Sequence, residues 1–128
     1  MEDIDKILSM EDNYGNNPLA LACIYFNESK KDVKRKCVQF LLNHDSNPNI
    51  RNDISGFTPL HWAALYGEEQ IIDLLIIHGA MGYIPDSQGY LPLDYAGRFG
   101  HQKIVAKLIM LSWNNVKITL HKKIYCKV

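Results

Sequence analysis

"DISGFTPLHWAALYGEEQIID", residues 53–73, decides how this chain is read. In it Thr58 precedes Pro59, the small residues Ala63 and Ala64 follow, and Gly67 closes the first half before Ile71 and Ile72. Thr is a good N-cap because its hydroxyl accepts from an orphan amide of the first helical turn. Pro at the next position gives up no hydrogen bond there. Gly suits the left-handed residue that terminates a helix. The stretch therefore predicts a short helix after Thr58, a stop at Gly67 and a second helix from about Glu68 to Ile77. Ile71, Ile72, Leu74 and Leu75 give that second helix a wide apolar stripe. Gly79 ends it, and the following "AMGYIPDSQG" is rich in turn formers.

The unit repeats. "DSQGYLPLDYAGRFGHQKIVA" (86–106) aligns with 53–73 at a constant offset of 33, placing Asp86, Gly89, Pro92, Leu93, Ala96, Gly100 and Ile104 on Asp53, Gly56, Pro59, Leu60, Ala63, Gly67 and Ile71. A looser copy begins with "DNYGNNPLALAC" (12–23), and its second half, "CVQFLLNHDSNPN" (37–49), aligns with 71–83. Between these halves lies an insertion of eight residues within 25–36, which either extends a helix or bulges from the surface, and one more residue is inserted near Arg51–Asn52. A fixed period of this length marks units that cannot bury their apolar faces alone and must stack.

Residues 53–80 resemble an ankyrin repeat: Asp53, Gly56, Thr58-Pro59-Leu60-His61, Ala63-Ala64, Gly67, Ile71-Ile72, Leu74-Leu75 and His78-Gly79-Ala80 match that family's pattern in order and spacing. The resemblance covers roughly residues 12–111 as three repeats. It implies an all-α solenoid of stacked helix-turn-helix units with β-turn-like finger loops. The expected organisation is a repeat domain over 1–111 and a basic tail over 112–128. Within the domain, 1–11 form a degenerate cap, 12–52 a repeat with its insertion near 25–36, 53–85 a second repeat and 86–111 the last. The last repeat departs from the pattern at Leu91, Asp94 and Gly97, losing a preferred cap and gaining a helix-weakening Gly.

Bulk properties narrow the function. The 128 residues, 47% hydrophobic, suit one small domain, and 14 bases balance 14 acids, so net charge makes no case for wholesale nucleic-acid or membrane binding. No apolar run approaches the ~20 residues of a membrane span. The acidic start "MEDIDKILSM" is unlike a signal peptide. Three Cys without a CxxC pair fit a reduced compartment, and Asn27-Glu28-Ser29 reads as a chance sequon. The expected location is intracellular, in the cytoplasm.

Catalytic chemistry finds no support in the residues. The resemblance gives His61 a role in hydrogen bonding between repeats. His44 and His78 fall near helix ends, and no His is at metal-ligand spacing with Cys or carboxylate. Cys37 reads as a small buried residue, and the glycines end helices or turns rather than cradle phosphate. The expectation is a chain without catalytic, metal or cofactor site.

Binding must use positions that stacking leaves free. By the resemblance these are turn tips and outward positions of the first helices, on the concave face. The expected partner-binding residues are Tyr14, Tyr25, Phe57, Leu65, Tyr66, Tyr90, Arg98 and Phe99. Tyr25, Tyr66 and Phe99 share one slot of the repeat, and Phe57 and Tyr90 share another. Aromatics and Arg are common interface anchors, although such rings also brace neighbouring repeats. The resemblance further marks Asn49, in "LLNHDSNPN", as a candidate for hydroxylation in the inter-repeat turn. The basic segments 30–36 and 117–127 leave nucleic acid open as a minor alternative to protein. Val116, Ile118, Leu120, Ile124, Cys126 and Val128 alternate as in a strand. The expected function is a non-catalytic adaptor binding a protein or peptide. The alternative is a structural subunit embedded in a larger assembly through the insertion and basic tail.

Overall fold

The computed structural model describes residues 10–25 and 28–125, with side-chain surroundings described as far as Asn114. Six α-helices occur among them: α1 (Pro18–Ile24), α2 (Lys31–Asn43, preceded by a 3-10 turn over Glu28–Lys30), α3 (Pro59–Tyr66), α4 (Glu69–Ile77), α5 (Pro92–Arg98) and α6 (Gln102–Tyr125). There is no strand among the described residues. The helices form three antiparallel pairs, and the solenoid core runs through all three. It is built from Leu19, Cys23, Val38, Leu42, Leu60, Ala63, Ala64, Ile72, Leu75, Ala96, Ile104 and Leu108. Ala63, Ala64 and Ala96 are wholly buried, and their small side chains let the pairs approach closely.

Local chemistry explains the helix boundaries. In α3 the Thr58 hydroxyl accepts from the His61 amide at 3.4 Å, Pro59 opens the helix, and Gly67 closes it at φ +71°. A Cβ on Gly67 would come within 2.5 Å of the His101 ring, so the position needs Gly for space as well as for conformation. In α1 the Asn17 side chain accepts from Ala20 N at 2.8 Å, the same service from a different residue. Helix α5 does it the other way round. Leu91 cannot cap, but Asp94 Oδ2 accepts from Leu91 N at 2.8 Å. The Asp in place of the usual His thus recovers half of a capping box.

The fingers correct one detail of the alignment. Asp12 and Asp86 each accept from amides two and four residues on, and their own amides bond to Asn16 O and Tyr90 O. In the second repeat Asn52, not Asp53, does this: its amide bonds Phe57 O, and its Oδ1 accepts from Ile54 N and Ser55 N. That finger is one residue longer, so the constant offset of 33 holds structurally only from Gly56 onward.

Two expectations about the irregular segments meet definite answers. The insertion extends a helix: α2 has 13 residues where its counterpart α4 has 9. The alternation over 116–128 does not make a strand. Helix α6 runs unbroken for 24 residues to Tyr125, because Ser112 and Trp113 stand where Gly79 and Ala80 end α4. No helix break therefore marks 111/112. The cap expected over 1–11 lies outside the described residues except for its last two positions, and Cys126 and Val128 also lie outside them.

Candidate functional site

Hydrogen bonds between neighbouring units fix the geometry of the finger and first-helix surface. His61 is fully buried. Its Nδ1 accepts from Thr58 N at 3.1 Å, which leaves Nε2 as the donor to the Tyr90 carbonyl at 2.9 Å in the next repeat. Burial holds its pKa below the ordinary histidine value, so the neutral ring is the working form. His101 reaches back in turn, its Nε2 lying 3.2 Å from Leu65 O. Asn49 joins the first two repeats through both ends of its amide: Nδ2 donates to Gly79 O at 3.0 Å and Oδ1 accepts from Met81 N at 2.8 Å. The fingers are tied directly, by Asn52 Nδ2 to Tyr14 O at 2.7 Å and by Ser87 N to Ser55 O at 2.9 Å.

On this frame the aromatic residues divide. Tyr25 is 61% exposed, Tyr66 46% and Phe99 55%, so the shared slot points outward in all three repeats. Tyr14 and Tyr90 at the fingers are exposed too, as is Arg98. Phe57 and Leu65 are only half-buried. Phe57 is drawn into a ring cluster, with centroids 5.0 Å from His61, 4.7 Å from Trp62 and 5.0 Å from Tyr95. Its ring braces the second repeat against the third. Tyr66 lies between the two cases, stacked on Trp62 at 6.1 Å and covering Lys34 Nζ at 5.6 Å.

Two residues of this surface escape the slot-by-slot sequence reading. Trp62 and Tyr95 are 33 apart, so the period itself carries the signal that pairs them. Tyr95 donates to Asp86 Oδ2. Burial, then this bond and the nearby carboxylate, push its hydroxyl up to about 12. At Asp86 burial works to raise the pKa. The Tyr95 hydroxyl and the Tyr90 and Gln88 amides outweigh it and hold the carboxyl below the usual range. The Trp62 indole N–H is buried without a hydrogen-bond partner among the described residues.

The basic run 30–36 is not uniformly solvated. Lys34 is 3% exposed, and its ammonium donates to Cys23 O at 2.6 Å and to the Glu68 carboxylate. Cys23 is a buried free thiol whose pKa burial raises to about 12, which makes it a poor nucleophile. No group of three or more His, Cys, Asp or Glu among the described residues could hold a metal ion. No helix among them is long and apolar enough to cross a membrane.

Comparison with known proteins agrees with the architecture. Residues 29–120 match the family described as ankyrin repeats, in three copies. A 51-residue stretch is 42% identical to part of a protein of Lachancea kluyveri described as Palmitoyltransferase AKR1. That stretch is 40% of this chain and 7% of that protein, so the chain spans a small fraction of the relative it matches.

Proposed function

The chain belongs to the ankyrin-repeat family, whose repeats mediate protein–protein contact, and on that premise we propose that it is a non-catalytic adaptor for a protein or peptide partner. The observation that carries this reading is the outward aromatic slot: Tyr25, Tyr66 and Phe99 stay exposed at equivalent positions while the residues around them form the stack. A row of rigid, amphipathic rings offers contact area at low entropic cost. Tyr14 and Tyr90 extend the row to the fingers, and Arg98 adds a planar cation beside Phe99. Phe57 and Leu65 shape the floor of the surface. The free thiols Cys23 and Cys37 fit an intracellular, reducing location, with the cytoplasm as our assignment. Asn49 remains our candidate for hydroxylation, and a modifying enzyme would have to reach a side chain whose amide is already engaged at both ends.

A second reading has one observation in its favour. Helix α6 runs on to Tyr125, about 20 Å beyond the length of α4 at the usual helical rise, and such an extension suits a subunit docked in a larger assembly. The two readings separate experimentally. The chain is immobilised and the proteins it retains from a cell extract are identified, first with the native chain and then with Tyr90→Ala/Phe99→Ala. The adaptor reading predicts one retained partner that the double variant releases. Retention unaffected by the double variant but lost on deleting residues 116–128 favours the embedded subunit.

A further inference from the structure

The period gives each slot of the second helices a direction. Lys107 Nζ bonds the Asp73 carboxylate at 2.7 Å and Glu69 at 2.9 Å, so its slot faces the preceding repeat. Ile76 lines a groove with Lys107 and Leu111 of the next repeat, so its slot faces the following one. Ile72 is wholly buried and Ala80 is 4% exposed. Counting 33 on from Ile72, Ile76 and Ala80 gives Val105, Ile109 and Trp113. Here the face is open: Ile109 is 51% and Trp113 59% exposed, although their counterparts are covered. Gly97, the counterpart of buried Ala64, has free space where a Cβ would stand. At the opposite end, Phe40 occupies the slot of Leu74 and is 55% exposed, its ring tilted against His44 at 4.3 Å, and Val33, two turns earlier on the same helix, is 47% exposed. A terminal repeat normally presents a polar outer face. Both ends of the described stack, over residues 10–114, instead carry large apolar side chains.

We propose that the occupant of each end is a second copy of this chain, stacked head to tail. The Ile109–Trp113 face of one copy meets the Val33–Phe40 face of the next, in the relation that already joins the second repeat to the third. The two faces are opposite halves of the internal repeat–repeat interface, so the contact continues one that the chain makes with itself. Both faces lie in basic segments, with one acid and four bases over residues 31–43 and one acid and seven bases over residues 87–128, so the contact is an apolar one that added salt is expected to strengthen. A heterologous contact of this kind leaves one free face at each end, so assembly grows with concentration instead of closing at a dimer. The fingers come along in this relation, Tyr90 standing in the slot by which Phe57 meets the next repeat, so the test reads self-association in the absence of any other protein and its failure is distinct from that of the adaptor reading.

Sedimentation velocity of the full chain over a wide concentration range provides the test, with Trp113→Glu blocking one face and Phe40→Glu the other. The native chain is expected to grow in mass with concentration. Each variant alone is expected to stay at monomer mass, and an equimolar mixture to form one-to-one dimers through the single pair of intact faces. Circular dichroism checks that the variants fold, and Val33→Glu replaces Phe40→Glu if the latter does not. A native chain that stays monomeric, a single variant that still self-associates, or a mixture that stays monomeric would each overturn the proposal.

Discussion

His61 shows how one side chain joins two levels of structure. Its ring closes the cap of α3 and donates to the next repeat, both within a buried setting. His61→Ala strands the Thr58 amide and the Tyr90 carbonyl, and the expected loss is about 1–3 kcal/mol, read from urea denaturation. The ring also makes stability depend on pH. Its folded pKa lies below the 6.5 of a free histidine because burial opposes the charge. Its contribution is therefore full above about 6.5 and declines as pH falls below that value, where the unfolded chain takes up a proton that the folded one resists. Denaturation midpoints measured at about pH 7.5 and about pH 5.5 should differ more in the native chain than in His61→Ala. Equal differences in the two would remove His61 from the account.

Helix α5 departs from the repeat pattern at Leu91, Asp94 and Gly97, and the glycine can be tested singly. Gly97 sits inside the helix with open space around its would-be Cβ and no positive φ. Gly97→Ala should therefore stabilise the chain by roughly 0.5–1 kcal/mol. The same change at Gly67 should destabilise it, because φ is +71° there and the new methyl meets the His101 ring. Thermal unfolding of the two variants should move in opposite directions. The inserted helix yields a further contrast. Lys34→Ala leaves the partly buried Glu68 carboxylate without its ammonium partner, at an expected loss of up to roughly 3 kcal/mol, while Lys36→Ala on the exposed face should stay within about 0.5 kcal/mol of native. Similar effects from both would mean that the run is a solvated face throughout.

At the scale of the whole molecule, the legible part of the sequence was the part set by backbone chemistry. Thr58-Pro59 and Gly67 specify caps that depend on neighbours in the chain, so α3 and its period could be read directly. The extent of α6 could not, since it depends on Ser112 and Trp113 failing to stop a helix, and alternation over a short segment does not separate strand from helix. The alignment places the second finger one residue off its true register, because Asn and Asp serve equally in such a turn and Asp53 lies next to Asn52. Of the candidate contact residues, Tyr25, Phe99 and Arg98 are exposed, as the resemblance implied for their positions. Phe57 is enclosed by Trp62 and Tyr95, packing that links separate repeats and that no local pattern encodes. Lys34 was hidden for the same reason, its partner Glu68 being 34 residues away.

The central claim is that frame and contact residues are separable, with Tyr25, Tyr90 and Phe99 exposed to bind and Phe57, His61 and Tyr95 engaged in holding the repeats together. The most direct measurement compares Tyr25→Ala/Phe99→Ala with Phe57→Ala, recording for each both the retained partner and the thermal midpoint. The account predicts that the first variant loses the partner while its midpoint stays within about 2 °C of native, and that Phe57→Ala lowers the midpoint by several times that amount. A partner still held by Tyr25→Ala/Phe99→Ala, together with a marked fall in its midpoint, would contradict the account and make the exposed rings part of the frame.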